Sequence, residues 1–261
     1  AALQSDFDVA TATEAAELIA FARGLDIDDL DGDGEKDEAR GWLFGDALHS
    51  RPLPINYGAI GAYSDPSNPA IYLAVATNDG MLRMIRNTNA GGSESGQEVW
   101  AFMPRKAMGA QKILRANGTG VKHPYTVDGA PVAFMKDRNF DGSIVASDGD
   151  KVYLYVGMRR GGKAYYAFDI TYPENPRLMW TIEKGGDFAE LGYTFSNPQP
   201  ALYDRIAAVR QIVKDVPVTG RLLFLDGAEF TKGIPDLVAT IDEVMQEFAE
   251  TDKAAAQRKV D

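Results

Sequence analysis

Short β-rich runs separated by glycine turns recur from Leu43 to Trp180, and this recurrence limits the available folds more than any other feature of the chain. The runs are Ala70 to Thr77, Met81 to Ile85, Val99 to Met103, Val152 to Gly157 and Ala164 to Ile170. Between them stand Asn78-Asp79-Gly80, Gly91-Gly92 and Gly161-Gly162, residues that turn an antiparallel chain at little steric cost. Two stretches read as variants of one unit: strand, glycine turn, second strand, then a strand ending in an aromatic residue. The first holds Asn78-Asp79-Gly80-Met81-Leu82 and Glu98-Val99-Trp100-Ala101-Phe102. The second runs from Arg160-Gly161-Gly162 through Tyr165-Tyr166-Ala167-Phe168-Asp169 to Leu178-Met179-Trp180. Such repetition is the signature of radially arranged propeller blades; a β-sandwich with similar hairpins is the alternative.

The flanks follow another period. From Thr11 to Arg23, Ala, Leu, Ile and Phe recur at helical spacing and Gly24 follows as a C-cap, which predicts a short scaffolding helix. After Pro200 the apolar residues Leu202, Ile206, Val209, Val213 and Val216, and then Val238, Ile241, Met245 and Phe248, suit helical faces, with Arg221 to Leu225 as a possible strand. The expected architecture is mainly β: a partial or modified β-propeller with quinoprotein-like blades over residues 1–200, a short N-terminal helix, and an α-rich segment over 201–261. Roughly 180 residues at about 40 to 50 per blade fall short of a complete large propeller, so an incomplete ring or an unusual closure is expected.

Bulk properties exclude several functions. The 261 residues hold 27 Lys plus Arg against 38 Asp plus Glu, and the net charge of −11 opposes a phosphate-backbone partner while suiting cations. No cysteine is present, which removes disulfides, thiolate metal sites and thiol nucleophiles. The longest strongly apolar stretch, near Ile71 to Ala76, is far too short to cross a bilayer. A chain that opens on Ala1 reads as a processed or excised piece whose targeting signal lies elsewhere.

Two segments carry ligand chemistry. Asp29-Leu30-Asp31-Gly32-Asp33-Gly34-Glu35-Lys36-Asp37 has the form D-x-D-x-D-G-x-x-D. Alternate carboxylates converge on a hard cation only when the chain wraps around it, and Gly34 supplies the permissive dihedral at the sharp turn. The expected calcium ligands are the side chains of Asp29, Asp31, Asp33 and Asp37 and the carbonyl of Glu35, with Glu38 as a further candidate. Arg40 occupies the twelfth position, where a helix-loop-helix calcium site carries a bidentate Glu. The second segment, Asp137-Arg138-Asn139-Phe140-Asp141-Gly142-Ser143, repeats the pattern as D-x-N-x-D-G. Here Asp137, Asn139 and Asp141 would ligate through side chains and Ser143 through its carbonyl, with Asp148 or Asp150 closing the shell; Val145 stands at the ninth position. A solvated acidic turn and an ordinary Asn/Asp/Gly hairpin loop are the respective alternatives.

Catalytic patterns are weak. The only histidines are His49 and His123. Asp46, His49 and Ser50 lie too close along the chain to present triad geometry, no G-x-S-x-G elbow occurs, and a structural turn network is expected there. Gly161-Gly162-Lys163 lacks the other residues of a phosphate loop.

Taken in order, several segments resemble the PilY-type proteins of type IV pili. They are the acidic loop, Gly45-Asp46-Ala47-Leu48-His49-Ser50-Arg51-Pro52, Thr77-Asn78-Asp79-Gly80-Met81-Leu82, and Glu98-Val99-Trp100-Ala101-Phe102-Met103-Pro104. His123-Pro124-Tyr125-Thr126-Val127-Asp128-Gly129-Ala130-Pro131 follows, then the second Asp/Asn loop, Arg159 to Thr171, Gly186-Asp187-Phe188 and Leu191 to Pro198. The resemblance covers roughly residues 20 to 200. It implies a modified β-propeller bearing calcium loops, in a non-enzymatic protein of pilus extension and retraction, surface adhesion and twitching motility. The implied partners are type IV pilus components, such as minor pilins at the pilus tip, and a host or abiotic surface. The implied location is extracellular or outer-membrane-associated, reached through the periplasm. Some members carry an integrin-binding Arg-Gly-Asp; this chain has none, and that property is not carried over. The rival readings are a quinoprotein-like calcium-dependent dehydrogenase, with Trp42, Trp100 and Trp180 at blade-like positions, and a purely structural calcium-stabilised module.

Overall fold

In the computed structural model, residues 2–198 are described. The chain divides into two units, 1–200 and 201–261, and the α-rich segment expected over 201–261 lies outside the described residues. The first unit is built on two four-stranded antiparallel sheets, each a simple meander. One comprises β1 (Leu53–Asn56), β2 (Ile71–Ala76), β3 (Leu82–Arg86) and β4 (Glu98–Phe102); the other comprises β5 (Val132–Lys136), β6 (Lys151–Gly157), β7 (Ala164–Asp169) and β8 (Arg177–Glu183). Four strands in sequential order are the unit of a propeller blade.

The internal repeat extends to the register. In the first sheet Trp100 of β4 faces Met84 of β3, and the pairing then slips so that Ile85 faces Glu98. In the second, Trp180 of β8 faces Ala167 of β7, after which Phe168 faces Leu178. Each blade therefore places one extra residue in its outer strand directly beside a tryptophan, a bulge that sharpens local twist. Trp100 and Trp180 are equivalent positions of one repeated design.

The inner faces of both sheets form one core. Ile55, Tyr72, Ala74, Leu82 and Met84 from the first meet Val152, Leu154, Val156, Tyr166 and Phe168 from the second, all buried. The join is aromatic: Phe102 stands edge-on to Phe168 with centroids 4.9 Å apart and lies 5.5 Å from Tyr166. Directional bonds fix the slide of one blade on the other. Tyr57 Oη donates to the Ile170 carbonyl (2.7 Å), and Trp100 Nε1 donates to the Pro173 carbonyl (2.8 Å). At the rim, Tyr72 Oη donates to Glu174 Oε1 (2.7 Å), and Arg86 closes an ion pair with the same carboxylate.

A helical cluster stands beside the blades. Helix α1 (Ala2–Asp6) precedes α2 (Ala12–Ala22), which starts on a complete capping box: Thr11 Oγ1 accepts the Glu14 amide and Glu14 accepts the Thr11 amide. Arg23 caps its C-terminus, one residue before the Gly24 expected there, and Gly24 follows at φ +96°. Two helices lie within the stretch read as short β-rich runs and turns: α3 (Arg105–Met108) and α4 (Ala110–Ala116). Pro104 ends β4 and caps α3, and the Ala, Met, Gln, Lys and Leu that follow are good helix formers. Phe7, Ala15 and Leu18 are buried there with Val9, Ile19 and Met108 around them.

Close backbone approaches require glycine at particular sites. A Cβ on Gly161 would lie 1.7 Å from the Thr126 carbonyl oxygen, whereas one on Gly91 meets nothing within 4 Å. Gly161→Ala is therefore expected to cost about 1–3 kcal/mol in denaturant unfolding, and Gly91→Ala under about 0.5 kcal/mol. Glu174 supplies a pH test. The Tyr72 hydroxyl, and after it Arg86, hold its carboxyl below the ordinary glutamate range. A depressed folded-state pKa adds stability that is present above the unfolded value and is lost as pH falls through the folded value. The melting-temperature gap between wild type and Glu174→Gln should be open at neutral pH and close on acidification below about 4.

Candidate functional site: two wrapped loops and a polar lock between blades

The first acidic loop is held at a narrow neck. Asp26 N–H donates to the Glu38 carbonyl (2.9 Å), Arg40 N–H donates to the Gly24 carbonyl (2.9 Å), and Leu25 bridges Ala39 between them. Beyond the neck the chain folds back on its own carboxylates. Asp29 Oδ1 accepts the Gly34 amide (3.1 Å), Asp31 Oδ1 that of Asp33 (3.3 Å) and Asp33 Oδ1 that of Glu35 (2.8 Å). Gly34 sits at φ +91°, the conformation for which glycine is suited.

The same wrapping recurs in the second loop, position for position. Asp137 Oδ2 accepts the Gly142 amide (2.8 Å), Asn139 Oδ1 that of Asp141 (3.4 Å) and Asp141 Oδ1 that of Ser143 (2.8 Å), with Gly142 at φ +82°. Sequence-distant segments thus adopt one cradle, in which side-chain oxygens at positions 1, 3 and 5 are each tied to a backbone amide further along.

The closures differ. In the first loop, carboxylate oxygens of Asp29, Asp31 and Asp33 lie within 4.8 Å of one another, and a second such group joins Asp31 to Asp26 and Glu38. Asp37 joins neither group. Arg40 turns away from the loop: its guanidinium covers the Phe21 ring at 3.9 Å, donates to the Phe21 carbonyl, and donates through Nε to the Trp42 carbonyl (2.8 Å). The crowded charge is felt at Glu38, whose carboxyl is pushed up chiefly by Asp33 and then Asp31. In the second loop, Asp148 at the twelfth position reaches Asn139 (3.2 Å). Asp150 is buried at the base, accepting the amides of Arg138 and Val145 (both 2.8 Å), and these bonds hold its carboxyl below the usual aspartate range. All these donors are oxygens, the set that suits a hard divalent cation.

Each loop is anchored to a different part of the fold. Arg115 of α4 forks onto Asp28 with Nε and Nη2 (2.9 and 2.7 Å) and reaches Glu17 of α2 with Nη1 (2.7 Å), and its hydrogen bonds draw the Asp28 carboxyl down. The second loop lies against the opposite blade. Ile144 N–H donates to the Tyr57 carbonyl (2.8 Å), and a Cβ on Gly58 would lie 2.0 Å from the Gly142 carbonyl oxygen.

A polar lock, buried at Asn78, Thr126 and Asp128 and exposed at Asp46 and His123, joins the blades where the sequence suggested only a turn network. Asn78, in the turn after β2, donates to Asp46 (2.8 Å) and accepts the Thr126 amide (3.2 Å). His49 Nδ1 meets Asp128 Oδ1 at 2.8 Å, and His123 Nε2 meets Asp46 Oδ1 at 2.9 Å. Ser50 Oγ accepts the Ala76 amide (3.2 Å), so Asp46, His49 and Ser50 are committed to three different partners. Beside them the buried Arg83 pairs with Asp79 (2.5 Å) and Glu98 (2.8 Å). Sequence reasoning missed Asp26 and Asp128, because each lies outside the acidic motifs, and it offered Asp150 only as a closing ligand, whereas both of its oxygens accept backbone amides at the base of the loop.

Comparison with known proteins gives the family. The family model described as the PilY1 beta-propeller domain matches residues 51–207, more than half of the chain, and the chain belongs to that family. The second loop lies inside the matched region and the first precedes it. Among relatives, the type IV pilus biogenesis factor PilY1 of Pseudomonas aeruginosa strain UCBPP-PA14 is 28% identical over 216 residues, covering 75% of this chain and 16% of the relative. The PilY1 homolog of Xylella fastidiosa strain Temecula1 is 31% identical over 210 residues, covering 74% and 16% respectively. The chain thus spans about a sixth of the length of these relatives. The crystal structure of the Pseudomonas aeruginosa PilY1 C-terminal domain is 30% identical, covers 50% of this chain and 22% of that one, and superposes with a TM-score of 0.31. No helix among the described residues is long and apolar enough to cross a membrane.

Arg115 offers a test of how the first loop is tethered. Arg115→Met should cost no more than about 1 kcal/mol, because the pairs are partly exposed. Hydrogen exchange should nonetheless quicken across residues 25–40 while the strands of both blades keep their protection.

Proposed function

We propose that this chain is the calcium-dependent propeller region of a type IV pilus biogenesis factor, acting outside the cell or at the outer membrane in pilus extension and retraction, surface attachment and twitching motility. Family membership supports the pilus role. The observation that carries the calcium reading is the shared cradle, in which two distant segments present oxygens at positions 1, 3 and 5 through the same backbone wrapping. In the first loop Asp29, Asp31 and Asp33 would hold the ion, with the Glu35 carbonyl and Asp37 available to complete the shell. In the second loop Asp137, Asn139, Asp141, the Ser143 carbonyl and Asp148 would do so.

A bound calcium ion supplies positive charge and oxygen coordination, and the protein's own residues convert this into order. Neutralising Asp29, Asp31 and Asp33 removes the repulsion that favours an open loop, and the Arg115 fork passes that order to α2 and α4. At the second loop the same neutralisation stiffens the segment that Ile144 and Gly142 press onto the first blade. Occupancy would then bias the two blades toward one mutual arrangement and set the surface offered to minor pilins, to the pilus tip, or to a host or abiotic surface.

Saturating calcium should raise the melting temperature by about 5–10 °C at a hundredfold excess over Kd, and Asp33→Ala and Asp141→Ala should each remove part of that rise. The same substitutions in the full-length pilus factor should reduce twitching and attachment while folding is kept. An unchanged melting curve in calcium would overturn the calcium reading. Normal piliation and twitching despite lost calcium binding would leave a purely structural role for the ion.

A further inference from the structure

The first loop contains a carboxylate for which its motif does not account. Asp26 lies three residues before the first position of the loop and is only 3% exposed. Its Oδ2 accepts the Leu30 amide (3.0 Å), while its Oδ1 is buried with no hydrogen-bond partner. Carboxylate oxygens of Asp26, Asp31 and Glu38 lie within 4.8 Å of one another. A buried carboxylate oxygen without a donor is costly, and neighbours that are themselves carboxylates add repulsion. The flanking arginines do not relieve it. Arg115 is committed to Asp28 and Glu17, and Arg40 to the carbonyls of Phe21 and Trp42.

We infer that Asp26, Asp31 and Glu38 form a divalent cation site at the neck of the first loop, anchored by the buried Asp26, in which Glu38 supplies the closing carboxylate that Arg40 withholds at the twelfth position. This inference rests on the calcium reading of the first loop and relocates its centre. Asp31 belongs to both carboxylate groups, so the ion is drawn from the tip of the loop, where Asp29 and Asp33 stand, toward the backbone pairs that close the neck. Two of its ligands are then the residues joined by the Asp26 N–H to Glu38 carbonyl bond, and binding the ion zips the neck. Calcium is favoured over magnesium, because an irregular set of carboxylates on a loop suits its larger and less regular shell.

The test uses the full 261-residue chain carrying Asp137→Ala and Asp141→Ala, so that the second loop does not contribute, with calcium titrated calorimetrically. Asp26→Asn keeps the size of the side chain and an acceptor for Leu30, and Glu38→Gln keeps its length. Each is expected to weaken calcium binding at least tenfold, Asp37→Asn less than threefold. Asp26→Asn has a second signature that loss of folding does not imitate: without calcium its melting temperature should rise above that of the parent, because an unpaired buried charge has been removed. The inference is overturned if Asp26→Asn and Glu38→Gln both bind within twofold of the parent while Asp29→Asn and Asp33→Asn lose calcium, an outcome that leaves the calcium reading standing. A parent that takes up no calcium overturns the inference together with the calcium reading of the first loop.

Discussion

The contact between Phe102 and the pair Tyr166 and Phe168 is the interaction on which the rest of this structure depends. A four-stranded meander by itself exposes a broad apolar face to water; the aromatic join gives each blade the other's face as cover. Hydrophobic contact of this kind is non-directional, so the Tyr57 and Trp100 hydrogen bonds across the join fix the slide and rotation that packing leaves free. Once the blades are set, the loops that emerge between them have only one place to go. The Asn78 turn meets the segment before β5, and the second acidic loop meets Tyr57 and Gly58.

Much of this was legible from residues alone. The runs around Ile71 to Ala76, Leu82 to Arg86 and Ala164 to Asp169 are rich in residues that suit a half-buried pleat, and glycine turns bound them, so strand position and the repeat follow from pattern. The equivalence of Trp100 and Trp180 also follows from pattern, although the bulge beside each does not, because register depends on partners that sequence does not name. β1 and β5 were harder to see: Leu53–Asn56 contains a proline, and Val132–Lys136 follows one, so both look like connecting chain. Helices α3 and α4 are too short to show a period and are held by tertiary contact.

The two acidic loops divide in the same way. Spacing of Asp and Gly discloses positions 1, 3, 5 and 6, because local wrapping imposes that spacing. Closure does not follow from spacing. Arg40 has the sequence position of a ligand and the structural role of a clasp on α2, while Asp26 and Glu38 meet only because the backbone on either side of the loop pairs. Asp150 likewise sits beyond its motif and braces the second loop from beneath, accepting two amides at once. Local motifs report what a loop does with itself, and the surrounding fold decides what it does with its neighbours.

The geometry of the first loop's neck has a mechanical meaning. Both chain ends leave it on the same side, one into α2 and the other toward the first blade, so tension between them peels the paired backbone apart one bond at a time. Peeling requires far less force than shearing several bonds together. Arg40, gripping the Phe21 carbonyl and the face of its ring outside the first of those pairs, stands where a latch would have to be.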